Sequence, residues 1–517
     1  MHLSNIASAA LVAIASTSCF LGTDAAVVPP ADNGGGVVRL PLIRNANGQL
    51  AQIRRYEATP LDKRGETTRA SLYNAIGREY LIEVGVGTPA QNFNLTLDTG
   101  SAELWIPSTD CPANSCPYER FDAKKSSTYE ATVEAFAIEY GVGSAKGTYG
   151  LDTVSVGTAK VDKQKIGLAK SSDNILGVVS SGEQANGILG LGFPGLNSAR
   201  GVKDDEPFPF NLAKTLNDQV FSIFLNSHYT YGMSGEIVFG GVDTSKFTGQ
   251  LQYVPVVNYD TSNYLVSPNV GADSKRQGTY LYWSVAGQGI KVGSYSKSFT
   301  PQAFILDTGT TLTMVPKTYA EGILAAATGS KSKYAWDELN GVYRVDCSLK
   351  DSTGNVELQI STSTGSSSAS PVTISTPVKE MIIPLDTDYL DTATSCMFGI
   401  TASSTGLTAG ENWIIGEASL RSMYLVHDMK GNRVGLAPAN LAGAGKFSPA
   451  SSTGKAEDVS STSSSTPQDS TTGKQGNTEA AKDKVNDDTT EGAASTLKVV
   501  NVAMGAAVSA MASYWLM

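Results

Sequence analysis

Two short stretches of this sequence could do chemistry together. Asp98-Thr99-Gly100-Ser101 follows the segment Phe93-Asn94-Leu95-Thr96-Leu97, and Asp307-Thr308-Gly309-Thr310 follows Gln302-Ala303-Phe304-Ile305-Leu306. Each places an aspartate at the end of an apolar strand-like run, then a hydroxyl residue, a glycine and a second hydroxyl residue. One Asp-Thr-Gly alone is an ordinary turn, but two copies in the same setting point to a pair of carboxylates. Two carboxyls held close together cannot both ionise, so one proton is shared between them. The charged member can then take a proton from a water while the protonated member donates to a carbonyl oxygen. Asp98 and Asp307 are therefore the candidate catalytic groups for a hydrolysis that needs no metal and no covalent intermediate. Gly100 and Gly309 let the backbone turn tightly and bring N–H groups to the carboxylates. Ser101 and Thr310 can hold the outer carboxylate oxygens, and Thr99 and Thr308 can reach across to lock the two turns together.

Other chemistries find little support. The three histidines, His2, His228 and His427, are far apart, and there is no His-Glu-x-x-His for zinc and no Gly-x-Ser-x-Gly for a serine nucleophile. No metal site and no cofactor are expected. Gly190-Leu191-Gly192-Phe193-Pro194-Gly195 matches a dinucleotide fingerprint in spelling, but such a site needs the motif to open a helix after a strand inside a βαβ unit, and Pro194 and the loop-like residues after it do not continue as an amphipathic helix. The formal net charge of −10 argues against nucleic acid as a partner.

Both turns need strands to hold them. At 517 residues, two or three domains are expected, and 52 glycines with dense Ser and Thr punctuation favour a β-rich body. From Tyr73 to about Asn440 the chain reads as short β segments such as Tyr80–Val86, with helical patterns only at Thr318–Ala327 and Glu417–Tyr424. The recurrence of the Asp-Thr-Gly unit suggests two similar lobes, one at 65–260 and one at 261–442. Before them, residues 1–25 read as a signal peptide. Residues 26–64 read as a propeptide ending at a processing site, Lys63-Arg64, with Arg54-Arg55 as a second possible cut. After them, 443–496 is a disordered Ser/Thr-rich stalk. The apolar tail 497–517 resembles a GPI-attachment signal, with a single membrane span as the alternative. Of five cysteines, Cys19 falls in the leader. The remaining four allow three pairings, of which Cys111 with Cys116 and Cys347 with Cys396 is the simplest, each bridge staying within one half. Asn94-Leu95-Thr96 is the one N-glycosylation sequon of the chain.

From Tyr73 to Asn440 the chain resembles the pepsin family. The first motif continues to Leu104-Trp105-Ile106-Pro107, and Ile138-Glu139-Tyr140-Gly141-Val142-Gly143-Ser144 is similar to the family's flap hairpin. Gly187-Ile188-Leu189-Gly190 and Trp413-Ile414-Ile415-Gly416 are similar to the segments that support the two aspartate loops. The resemblance implies an all-β, bilobal acid protease fold with a cleft between the lobes, and an endopeptidase acting on proteins and peptides as a monomer. It also implies substrate-facing roles for Tyr140, Gly141, Trp105 and Thr311, a Trp105–Tyr140 hydrogen bond, and the disulfides Cys111–Cys116 and Cys347–Cys396. The overall organisation resembles fungal yapsin-like proteases made as zymogens, glycosylated and tethered at the extracellular face of the membrane or cell wall by a GPI lipid.

The sequence also departs from the family. Asn186 stands where Asp is usual, and Val142 where some fungal relatives carry an Asp that accepts a Lys at P1. Glu103 and Glu139 are read as solvated strand positions near the cleft entrance, and an apolar or aromatic P1 preference is expected. The alternative function is a non-catalytic binding or adhesion protein on the same fold.

Overall fold

A computed structural model describes residues 38–44, 80–140, 143–176, 185–198, 205–216, 218–227, 232–259, 265–266, 280–386, 390–403 and 413–441. The leader, both dibasic pairs, the stalk, the apolar tail, Gly141 and Val142 lie outside these residues.

Strands β1 (Val38–Arg44), β2 (Tyr80–Val86), β3 (Gln91–Asp98), β4 (Leu104–Pro107), β5 (Glu130–Tyr140) and β6 (Gly143–Val156) open the fold. They are followed by β7 (Ala159–Asp173), β8 (Ile188–Gly190), β9 (Val220–Leu225), β10 (Gly232–Phe239) and β11 (Gln252–Pro255). In β3 the alternating Phe93, Leu95 and Leu97 all point into the core, the period-two pattern of a strand. β3 continues through β8, β4, β7 and β6, and β6 pairs back onto β2, which closes these strands into a ring. β1 lies between β10 and β2, hydrogen-bonded to both.

The second half begins with a short pair, β12 (Asn258–Tyr259) and β13 (Leu265–Val266), followed by β14 (Ser284–Val292), β15 (Tyr295–Leu306) and β16 (Thr313–Val315). Then come β17 (Tyr334–Asp337), β18 (Val342–Val345), β19 (Asn355–Ile360) and β20 (Val372–Pro377). The half ends with β21 (Ile382–Pro384), β22 (Cys396–Phe398), β23 (Ile400–Ala402) and β24 (Trp413–Ile415). These form a seven-stranded sheet, β20-β19-β14-β15-β24-β16-β23, and a four-stranded one, β17-β18-β22-β21. The last strands, β25 (Met423–Asp428) and β26 (Arg433–Pro438), cross back: β25 pairs with β9, so a sheet edge from the end of the chain joins the first half.

The all-β expectation holds. The helix expected at Thr318–Ala327 forms as Lys317–Thr328, buries Ala320, Ile323 and Leu324, and stops at Gly329, whose φ of 79° suits glycine. The one expected at Glu417–Tyr424 is a single turn, Glu417–Leu420. From Met423 the chain is instead recruited as β25 by pairing on both sides, so tertiary hydrogen bonds override the local pattern. Both expected disulfides form, with Cα separations of 5.9 Å for Cys111–Cys116 and 5.3 Å for Cys347–Cys396. Among the described residues no helix is long and apolar enough to cross a membrane.

Candidate active site

The two aspartate turns are built alike. β3 runs parallel to β8 with Asp98 opposite Gly190, and β15 runs parallel to β24 with Leu306 opposite Ile415. β8 is flanked on its other side by β4, and β24 by β16. Each turn is therefore cradled by an apolar-apolar-Gly segment from much later in its own half. The Asp98 carbonyl accepts the Leu191 N–H at 2.8 Å, and the Asp307 N–H donates to the Ile415 carbonyl at 3.0 Å. A Cβ on Gly190 would come within 2.5 Å of the Ala102–Glu103 backbone, and one on Gly416 within 2.4 Å of the Thr310 and Leu312 carbonyls. Nothing larger than glycine fits at either point.

The turns meet at their threonines. The Thr99 N–H donates to Thr308 Oγ1 at 3.1 Å, and the Thr308 N–H donates to Thr99 Oγ1 at 3.0 Å. Each hydroxyl then donates onward across the junction, Thr99 to the Leu306 carbonyl at 2.8 Å and Thr308 to the Leu97 carbonyl at 2.7 Å. Both threonines are fully buried, so these four bonds are shielded from water.

Asp98 and Asp307 are 6% and 3% exposed, and their carboxyls lie within hydrogen-bonding reach of each other. Asp98 accepts from the Gly100 N–H at 2.8 Å and the Ser101 hydroxyl at 2.5 Å. Asp307 accepts from the Gly309 N–H at 2.8 Å and the Thr310 hydroxyl at 2.6 Å. The glycines also make room for the opposite acid: a Cβ on Gly100 would sit 2.6 Å from the Asp307 carboxyl, and one on Gly309 2.4 Å from Asp98 Oδ1. Burial raises both acids above the usual carboxylate range. Asp98 is partly returned by the Ser101 hydroxyl and the Gly100 N–H. Asp307 is pushed well up because the charge of Asp98 adds to its burial. The pair titrates as a unit, with the shared proton favoured on Asp307.

Sequence reading placed the neighbouring side chains with mixed success. Trp105 is fully buried and its Nε1–H donates to the Tyr140 hydroxyl at 2.9 Å, the bond the resemblance implied. Thr311 is 8% exposed and its carbonyl accepts the Ala418 N–H at 2.9 Å. Asn186 donates from Nδ2 to the Glu119 carbonyl at 2.7 Å. Glu139 is exposed on β5, as expected. Glu103 is not solvated: it is 3% exposed and accepts from the Tyr149 hydroxyl at 2.9 Å. The reason is strand alternation, since Leu104 and Ile106 fill the main core while Glu103 shares the opposite face with Trp105 and turns inward under the flap hairpin.

The profile described as "Eukaryotic aspartyl protease" matches residues 79–439, well over half of the chain. The chain belongs to that family. Mouse cathepsin E is 30% identical over 424 residues, covering 78% of this chain and 95% of the relative. Rabbit gastricsin is 32% identical over 365 residues, 69% of this chain and 81% of the relative. Mucorpepsin of Rhizomucor pusillus is 29% identical over 386 residues, 72% and 82%. The aspartyl protease is thus a pepsin-like peptide-bond hydrolase with a bilobal all-β fold.

Proposed function

We propose that Asp98 and Asp307 are the reacting pair of this aspartyl protease, supported by Ser101, Thr310, Thr99, Thr308, Gly100 and Gly309. The observation that carries the reading is the reach between two buried carboxyls, one of them driven toward its protonated form by the other. Asp98, as carboxylate, takes a proton from water as the water oxygen bonds to the scissile carbonyl carbon. Asp307 gives its proton to the carbonyl oxygen. The resulting diol collapses with the C–N bond breaking, the proton on Asp98 passing to the leaving nitrogen and a diol proton returning to Asp307. In this proposal the substrate-facing roles fall to Tyr140, Gly141, Trp105 and Thr311, as the family resemblance implies.

The finer reading is a secreted zymogen, monomeric, yapsin-like and tethered by a GPI lipid at the cell surface. Three features support it. β1 precedes Lys63-Arg64 in the chain, so a cut after Arg64 would separate a strand hydrogen-bonded between β10 and β2 from the rest of the enzyme. The composition changes to Ser/Thr-rich after residue 442, and an apolar tail ends the sequence. The lobe limits, the processing pair and the anchor all belong to this proposal.

Asp98→Asn and Asp307→Asn, purified in mature form and assayed on casein, test the dyad. Each should lower kcat by about 10²–10⁴-fold or more with an unchanged cooperative unfolding transition, and pepstatin should inhibit the wild type. Robust cleavage by either variant would remove the assignment.

A further inference from the structure

A fully buried tryptophan stands behind the two aspartate loops and is hydrogen-bonded toward both. Trp283 immediately precedes β14 and is 0% exposed. Its indole Nε1–H donates to the Leu191 carbonyl at 2.9 Å, and the Leu191 N–H donates to the Asp98 carbonyl at 2.8 Å. The Trp283 carbonyl accepts the N–H of Leu306, one residue before Asp307, at 3.0 Å. The Leu306 carbonyl in turn accepts from the hydroxyl of Thr99, one residue after Asp98. These four bonds close a circuit that runs Asp98, Leu191, Trp283, Leu306, Thr99 and back through the peptide bond to Asp98. Every residue in it is buried, so water does not compete for the bonds. A further bond between the same two segments, from the Phe193 N–H to the Leu281 carbonyl at 3.2 Å, runs beside it. Rings fix the indole: Phe193 lies 4.2 Å away, His427 edge-on at 4.9 Å and Phe221 edge-on at 5.6 Å.

We propose that Trp283 is a positioning residue for peptide hydrolysis, one that fixes the separation of the Asp98 and Asp307 carboxyls through the loops that carry them. The paired threonines join the loops at one place, and one place of attachment lets them pivot. Trp283 supplies a second place, behind the turns, and two together set both separation and tilt. Without the indole N–H, the buried Leu191 carbonyl loses this donor, and its peptide shifts toward another donor or water. The Asp98 carbonyl moves with it, because the N–H of the same leucine is bonded there. A misplacement of about 1 Å at a reacting group is costly to rate. It also weakens the charge coupling between the two acids, which falls with distance. The two steps in which the pair gives up its protons therefore draw together. Loss of packing alone would lower stability without changing that spacing.

The inference rests on Asp98 and Asp307 being the reacting pair, and its test reads the dyad both with and without turnover. In the mature enzyme, Trp283 is replaced by benzothienylalanine, which keeps the indole shape with sulfur in place of the N–H. kcat, KM and thermal midpoint are measured from about pH 2 to about pH 8, and the carboxyl carbons of isotope-labelled aspartate are titrated by NMR over the same range. The isostere should lower kcat about tenfold with KM within about twofold. The two dyad titrations, assigned with Asp98→Asn and Asp307→Asn, should move closer by roughly half a pH unit. Trp283→Phe should show the same two changes with a lower thermal midpoint, because it also gives up ring volume. Phe221→Leu, which loosens the packing around the indole and leaves its N–H bonded, should lower the midpoint at wild-type kcat and spacing. An isostere with wild-type kcat, or with reduced kcat and unchanged spacing, would overturn the proposal. So would a Phe221→Leu enzyme that reproduces the narrowed spacing. A wild type that cleaves no peptide would instead overturn the dyad reading, and the spacing in wild type and isostere would still decide the role of Trp283.

Discussion

Laid side by side, the two aspartate loops agree for four residues and then part. Asp98-Thr99-Gly100-Ser101 matches Asp307-Thr308-Gly309-Thr310, but Ala102-Glu103-Leu104-Trp105 stands against Thr311-Leu312-Thr313-Met314. Glu103 is buried against the Tyr149 hydroxyl, whereas Leu312 is buried among Val342, Ile383, Leu385 and Met397. Trp105 donates to Tyr140, while Met314 has no donor to offer. The shared four residues set the reacting geometry, because the threonine lattice and the glycine clearances need the same groups on both sides. The residues beyond them decide how each loop is backed. The first loop is backed by the hydrogen bond from the Tyr149 hydroxyl to Glu103, which ties it to a strand of the flap hairpin; the second is backed by apolar packing around Leu312 and a buried hydroxyl pair, Thr313 and Ser419, 2.7 Å apart. The same turn can thus be held in two ways.

Exchanging the backing should break the comparison most visibly. Leu312→Glu would place a carboxylate among the apolar side chains of Val342, Ile383, Leu385 and Met397. It should destabilise the protein by roughly 3–5 kcal/mol, read as a lower urea midpoint at unchanged m. Loss of less than about 1 kcal/mol would mean the second loop tolerates a charge as the first does.

The disulfides sharpen the contrast at the next level. The first half closes a loop over a sequence separation of 5, the second over 49. On loop-closure entropy, removing Cys347–Cys396 should cost about 4 kcal/mol and removing Cys111–Cys116 about 2. Paired Cys→Ser variants compared by denaturant unfolding check the order; equal losses would show that native contacts, not chain entropy, set it.

The sheet that joins the halves carries a pH response of its own. His427 on β25 is fully buried, stacked 4.4 Å from Phe221 and edge-on to Trp283 at 4.9 Å. Burial pushes it down to about 3. Its folded value lies below the unfolded one, so its contribution is full above about pH 6.5 and is lost as pH falls toward about 3. The slope is at most about 1.4 kcal/mol per pH unit. His427→Phe should flatten the fall of the thermal midpoint on the acid side. A slope identical to wild type would mean that His427 takes up its proton at the same pH in the folded and unfolded states.

Much of this was legible in the sequence for a definite reason. The dyad, its hydroxyls and its glycines form a repeated local string, and the two supporting segments carry their own apolar-apolar-Gly spelling. Glu103 was misread because its burial depends on what lies across from it, Tyr149, which is remote in sequence. Its strand phase relative to Trp105 was the available signal. The helix expected at Glu417–Tyr424 failed for a similar reason, since nothing in that string announces that β9 and β26 will claim Met423–Asp428. Local strings reveal chemistry; long-range pairing decides which side chains are hidden.

The smallest expected effect lies at the flap, where Trp105 and Met314 differ. Tyr140→Phe keeps the ring and removes the partner of a fully buried indole N–H. A neutral hydrogen bond of this kind contributes about 1 kcal/mol, so kcat/KM should fall about fivefold. The loss should appear in kcat/KM with little change in the thermal midpoint, because Tyr140 is only half-buried and its ring contacts remain. Trp105→Met, which imports the second loop's residue, should lose the same bond and in addition several kcal/mol of packing, since the indole is among the largest fully buried side chains. If Tyr140→Phe leaves kcat/KM at the wild-type value, the indole is there to fill space as Met314 does, and the two loops differ in packing volume rather than in what they ask of the flap.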